Sequence, residues 1–163
     1  MHRPRRHPPG GADRARRVPP LLVAARESVI GAATHVVRRD VLLDSSASAV
    51  AGARSVIRNA VGTDAPDSAE LAAVCGSELV ANAVRHGAPP IMMTVLSGVD
   101  HVVVAVEDGS RLPPLPRAPG STDTGGRGTV IVERLADRWG VEFLPGGKRV
   151  WCLVARPRDL PPD

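Results

Sequence analysis

Apolar positions along this chain change period several times, and each change marks an element. Ala49, Ala53, Val56, Ile57 and Ala60 recur at helical spacing and predict a helix over 47–61. Asp44-Ser45-Ser46 supplies N-cap chemistry before it and Gly62 ends it. Val41-Leu42-Leu43, just upstream, reads as a short strand. After the turn Asp64-Ala65-Pro66-Asp67, a second helix capped by Asp67 or Ser68 runs to His86, with Leu71, Cys75, Leu79 and Ala83 as its core-facing row. Gly87 stops it, and Pro89-Pro90 lie beyond. The period then shortens. Ile91 to Leu96 and Val102 to Glu107 are β-rich runs, joined by the hairpin turn Ser97-Gly98-Val99-Asp100.

Residues 109–126 show no periodicity and carry many prolines and glycines, which predicts a long loop, of the kind that is usually either functional or disordered. A helix over 127–138 follows, then a closing hairpin, Val141 to Leu144 and Val150 to Val154, around Pro145-Gly146-Gly147. Strands therefore come in hairpin pairs rather than alternating singly with helices. That order predicts an α/β fold, a two-layer sandwich with a mixed or antiparallel sheet and helices on one face. A doubly wound parallel sheet does not fit it.

The chain has 163 residues, enough for one domain with its own core. Its aromatics are Phe143, Trp139 and Trp151, so Val, Leu, Ile and Ala must build that core. Charge divides the chain. Residues 1–39 carry nine Arg against Asp13 and Glu27, a balance of +7, while residues 40–163 carry −3, which together make the overall +4. We read 1–38 as a basic, disordered extension (21–38 able to form a short helix), 39–157 as the folded domain and 158–163 as a short tail. The folded part is mildly acidic, which argues against direct nucleic-acid binding. Arg outnumbers Lys twenty to one, the pattern of GC-rich codon usage. Cys75 and Cys152 sit in apolar runs without metal-type spacing and read as buried free thiols. The most apolar stretch, Leu21 to Val37, is broken by Arg26, Glu27 and His35 and lacks a cleavage signal. It reads as neither membrane span nor signal peptide, so a cytoplasmic protein is expected.

Three places carry candidate chemistry. Glu78, Asn82 and His86 follow one another at i, i+4 and i+8, on a single face of the second helix beside its core row. A carboxylate, an amide and an imidazole there are costly if merely buried and sensible if they face a wet cleft. The amide oxygen of Asn82 suits Mg²⁺, which takes few protein ligands. Glu78, one turn away, can accept a proton from an attacking hydroxyl. At the exit of the run 102–106 stands Asp108, followed by Gly109 and Ser110; a carboxylate there can accept a hydrogen bond from an exocyclic amine such as that of adenine. Third, Gly126-Arg127-Gly128-Thr129 opens a helix, where glycines let backbone N–H groups approach phosphate. Arg127 can pair with a phosphate or cover the loop. This cluster is neither a Walker A loop nor a dinucleotide fingerprint. Taken singly, the three also read as a solvated helix face, an Asp-Gly turn and a flexible linker. In this order, within about 50 residues, they describe a cradle for a magnesium nucleotide.

The same segments resemble a known family. Glu78-Leu79-Val80-Ala81-Asn82-Ala83-Val84-Arg85-His86-Gly87 is similar to the N box of the GHKL ATPases, and most of all to that of the anti-sigma-factor serine/threonine kinases. Asp108-Gly109-Ser110 falls at the first glycine box, and Gly126 to Val132 at the second. Trp139-Gly140 and Gly147 to Trp151 resemble the closing strands, so the likeness spans roughly 41–156. It implies a Bergerat-type sandwich holding ATP and Mg²⁺. Glu78 would be the catalytic base, Asn82 the Mg²⁺ ligand and Asp108 the adenine reader. His86, Ser110, Gly126, Arg127, Gly128 and Thr129 would line the nucleotide.

The implied reaction moves the γ-phosphate to a serine or threonine of an anti-sigma antagonist, and the same surface would sequester a sigma factor. A homodimer is also implied. Two departures from the family pattern stand out. Ser110 and Leu112 replace the glycines of Asp-x-Gly-x-Gly, and Thr129 stands where Leu often follows the second box. The Thr129 hydroxyl can meet a phosphate or cap the helix. The altered first box keeps an alternative open, a non-catalytic ATP-binding module that acts by sequestering a partner. The catalytic part of a two-component histidine kinase fits less well, since His35 lies in a short segment and not on a dimerisation helix.

Overall fold

The computed structural model describes residues 37–112 and 128–156. Along the chain run β1 (Val37–Leu43), α1 (Ala47–Val61), α2 (Pro66–His86), β2 (Ile91–Ser97), β3 (His101–Asp108), α3 (Gly128–Leu135), β4 (Arg138–Leu144) and β5 (Gly147–Ala155). The strands form one five-stranded sheet in the order β1-β2-β3-β5-β4. Every pairing is antiparallel. The fold is thus the α/β sandwich that the element order predicts, with its sheet wholly antiparallel.

Alternation along the strands sorts side chains onto two faces. Val102, Val104 and Val106 of β3, with Ile91, Met93 and Val95 of β2 and Val150, Cys152 and Val154 of β5, join one buried cluster with the three helices. Those helices contribute Ala53, Ile57, Ala72, Val80 and Val132 among others, so the helix-side core is aliphatic. The two helices α1 and α2 pack closely, and α2 lies over β3 and β5. Gly76 sets that approach. A Cβ there would stand 2.5 Å from Ile57 Cδ1 and 3.0 Å from Val104 Cγ1. On the opposite face Leu96, Val103, Ala105, Trp151 and Leu153 form a second buried cluster.

Several elements differ from their sequence reading, each for a local reason. Val37 and Arg38 do not end a helix; they open β1 by pairing with Ser97 and Leu96. Residues 21–36 lie outside the described residues. The Ser46 hydroxyl does not cap α1 but turns back to Asp44 Oδ1 at 2.5 Å. Helix α2 starts at Pro66, whose missing N–H costs nothing at a first helical position. Ser68, a candidate cap, is drawn away and donates to the Ala155 carbonyl at 3.0 Å. Leu71 is 37% exposed and leaves the core row, while Cys75, Leu79 and Ala83 are buried in it. Helix α3 is shorter than 127–138 because the sheet captures its end: Asp137 N–H donates to the Leu153 carbonyl at 3.0 Å. Its carboxylate accepts from Ala155 N–H at 2.8 Å.

The packing at Gly76 yields a paired prediction. Gly76→Ala should lower the unfolding free energy by about 1–3 kcal/mol through overpacking. Gly52→Ala, on an α1 position with nothing within 4 Å of the added carbon, should raise it by roughly 0.5–1 kcal/mol. Urea unfolding of the two variants checks the contrast.

Candidate nucleotide site

Helix α2 runs over β3 in the direction of that strand. Gly76 sits over Val104, and Gly87 ends the helix against Asp108, where a Cβ would lie 2.8 Å from Asp108 Cγ. Gly87 is therefore demanded by this close approach. Its backbone is extended rather than left-handed, with φ −83°, and its N–H donates to the Ala83 carbonyl. Gly147, the first residue of β5, is needed for the same reason, because a Cβ would fall 1.9 Å from the Asp108 carbonyl oxygen. Gly109 N–H donates to the Ala88 carbonyl at 2.7 Å and ties the strand exit to the segment after α2. Three backbone segments thus converge on one carboxylate.

Asp108 is 5% exposed. Its Oδ1 accepts from Lys148 Nζ at 2.9 Å and from Ser110 N–H at 2.8 Å. Lys148, also 5% exposed, faces it directly across the β3–β5 ladder. Among the described residues, Oδ2 of Asp108 makes no hydrogen bond. An ion pair this deep is favourable only when its geometry is good and its remaining capacity is used. The arrangement thus presents a buried, charged acceptor held at one oxygen by Lys148 and the Ser110 N–H. Sequence reading missed Lys148 as a site residue. The available signal was its singularity, one Lys among twenty Arg, placed just after the closing turn.

The polar stripe lies further back on α2. Glu78 and Asn82 are half-buried, whereas His86, in the last turn, is exposed. Asn82 precedes Gly87 by five residues, about 7 Å along the axis. The stripe borders the row of Cys75, which identifies its side of the helix. Cys75 lies beside Cys152 of β5, close enough for the two thiols to interact. Their hydrogen bond, with burial, pushes the Cys152 thiol well above its ordinary range, and the same bond lowers that of Cys75. Both cysteines are buried and free, as their apolar context predicts. Glu78 and Asn82 therefore lie on the side of α2 that carries Cys75 and faces β5; α3 also packs on α2.

Helix α3 begins at Gly128, so its first N–H groups have no partner within the helix. Gly126 and Arg127 lie outside the described residues, and the position of the Thr129 side chain is not described. Ser110 is half-buried, its Oγ accepting from Leu112 N–H at 3.2 Å. Leu112 is 72% exposed. Arg111 donates to the Pro145 carbonyl, which holds the strand exit against the β4–β5 turn. The candidate site thus comprises the Asp108–Lys148 end of the sheet, helix α2 beside it and the start of α3, which packs on α2.

The model of the histidine kinase-like ATPase domain matches residues 42–153. The chain belongs to the histidine kinase-like ATPase family. Membership makes it an ATP-binding domain of the GHKL type and agrees with the fold and with the cleft. A comparison with curated proteins gives no match. Among the described residues, no helix is long and apolar enough to cross a membrane.

The buried pair is the most sensitive point of the cleft. Lys148→Met keeps much of the side-chain volume but strands the Asp108 carboxylate. It should cost about 3–5 kcal/mol of stability, measured by urea unfolding near neutral pH.

Proposed function

We propose that this domain binds ATP with Mg²⁺ in the cleft and transfers the γ-phosphate to a serine or threonine of an anti-sigma antagonist, while also sequestering a sigma factor. The observation that carries the nucleotide half is Asp108. It is buried and clamped through one oxygen by Lys148 and the Ser110 N–H, and its other oxygen would accept from the exocyclic amine of adenine. A charge held this rigidly pays no reorganisation on binding and discriminates sharply, since a ligand without the amine leaves a buried acceptor unpaired. The free N–H groups at the start of α3 suit phosphate oxygens, and Arg127 can add charge there.

Asn82 would hold Mg²⁺ through its amide oxygen. When bound, the ion neutralises charge on the phosphates and orients them. The donor set fits, because Asn82 is half-buried, neutral and one turn from a carboxylate. Glu78 Oε would accept the proton of the attacking hydroxyl, a role worth typically 10²–10⁴ in rate. His86 stands at the exposed rim of the same stripe. The kinase reading rests on Glu78 and on the resemblance of residues 78–87 to the N box.

A second reading has its own support. The first glycine box has closed on itself, with Ser110 spending its N–H and Oγ on local turns. A domain that only holds ATP and captures a partner needs no base and tolerates such a box.

Two measurements separate these readings. In direct ATP titrations, Asp108→Asn should weaken binding by about tenfold or more, with its unfolding transition followed to exclude misfolding. Equal affinity would remove Asp108 from the site. In phosphate-transfer assays on candidate antagonists, Glu78→Ala should lose about 10²–10⁴ of the rate with ATP affinity kept. Tight ATP binding by the unaltered protein without transfer to any antagonist would favour the sequestering module.

A further inference from the structure

Among the 21 basic residues of the chain, Lys148 is the single Lys. Its place in the sheet gives that choice a meaning. Val150, Cys152 and Val154 of β5 pack with the helices, so alternation puts Lys148 on that side too and Arg149 on the other. Asp108 continues the helix-facing row of Val102, Val104 and Val106 in the same way. The two charges therefore stand beside the C-terminal end of α2, where Gly87 meets Asp108. The close approach of Gly147 to the Asp108 carbonyl fixes the backbone from which Lys148 projects.

Arg149 shows what a guanidinium does one position away. Its Nε donates to Glu107 Oε1 at 2.7 Å and a terminal nitrogen donates to Glu142 Oε2 at 2.9 Å. That is a planar fork laid across three strands, with its directions spent on protein carboxylates. Lys148 works differently. Its ammonium is compact and carries three protons. One goes to Asp108 Oδ1 at 2.9 Å. A second meets the Ser110 carbonyl at 3.5 Å, long for a hydrogen bond. Among the described residues no acceptor takes the third. A buried ion pair is favourable only when its remaining protons also find partners.

We propose that Lys148 is a second base-reading residue, donating to the ring nitrogen N1 of adenine. The proposal rests on the reading that Asp108 accepts from the adenine amine. Next to that amine, adenine offers N1 as an acceptor, and the pair answers with an acceptor next to a donor. A lysine suits the role because one point charge donates to the carboxylate and to the base together. A guanidinium would turn two parallel N–H groups onto the carboxylate. Selectivity then comes from both partners, since a purine that carries hydrogen on N1 would set an N–H against the ammonium.

The test titrates the full chain, with Mg²⁺, against ATP and three analogues. 1-Deaza-ATP replaces N1 by C–H and keeps the amine, 7-deaza-ATP loses N7 instead, and inosine triphosphate loses the amine. 1-Deaza-ATP should bind at least about tenfold more weakly than ATP, and 7-deaza-ATP as tightly as ATP. A second arm combines Asp108→Asn with Lys148→Met, which leaves no stranded charge, and follows its urea unfolding to verify the fold. That variant should no longer distinguish ATP from 1-deaza-ATP. Equal affinity for ATP and 1-deaza-ATP, with inosine triphosphate still weak, overturns the role of Lys148 and leaves that of Asp108 standing. So does a preference for ATP over 1-deaza-ATP that survives in the folded double variant, or a loss seen with 7-deaza-ATP alone. Inosine triphosphate bound as tightly as ATP would overturn the Asp108 reading and this proposal with it. If the double variant does not fold, the analogue series on the unaltered chain decides.

Discussion

The ion pair between Asp108 and Lys148 is the constraint on which the cleft depends. Two charges at about one-twentieth exposure need each other, because either alone would face a large desolvation cost. Their pairing has structural consequences around them. It aligns the last residue of β3 with the second of β5, and the surrounding backbone must then come close. Gly87 and Gly147 are glycines because Asp108 occupies the space a Cβ would need. The end of α2, the exit of β3 and the entry of β5 are thereby held at one point. Whatever is read there is read by a carboxylate that cannot move.

The rest of the helix layer carries that rigidity to the polar stripe. Gly76 lets α2 settle onto Val104 and Ile57, and Cys75 reaches Cys152. With those contacts fixing the rotation of the helix, Glu78 and Asn82 are left half-buried at the border of the core. The same helix thus delivers two kinds of group to one cleft. Its C-terminal end frames Asp108, and its middle turns carry an amide and a carboxylate at the border of the core. Belonging to the histidine kinase-like ATPase family gives this geometry its ligand, ATP. Transfer to a protein hydroxyl is the proposal that Glu78 adds.

Much of this was legible in the sequence because it follows from period. Helical spacing over 47–61, the two β-rich runs and the closing hairpin needed only local patterning, and they appear within a few residues of their expected bounds. Sequence reading failed where long-range contacts took over. The end of α3 was lost because Asp137 and Arg138 pair with β5. Ser68 looked like a cap and instead bonds the far end of the sheet. Leu71 fell on the right helical side by spacing but is left exposed. Lys148 was passed over because its importance lies in facing Asp108, forty residues away, which local pattern does not reveal.

The central claim is that a fixed Asp108 carboxylate reads the amino group of adenine. Inosine triphosphate tests it most directly, since it replaces that amine with a carbonyl oxygen and leaves the triphosphate intact. Paired titrations of ATP and inosine triphosphate in the same buffer with Mg²⁺ should show the inosine nucleotide bound at least about tenfold more weakly, because its oxygen would face a charged acceptor. Equal affinity for the two nucleotides would contradict the account, leaving a site that holds phosphates without reading the base.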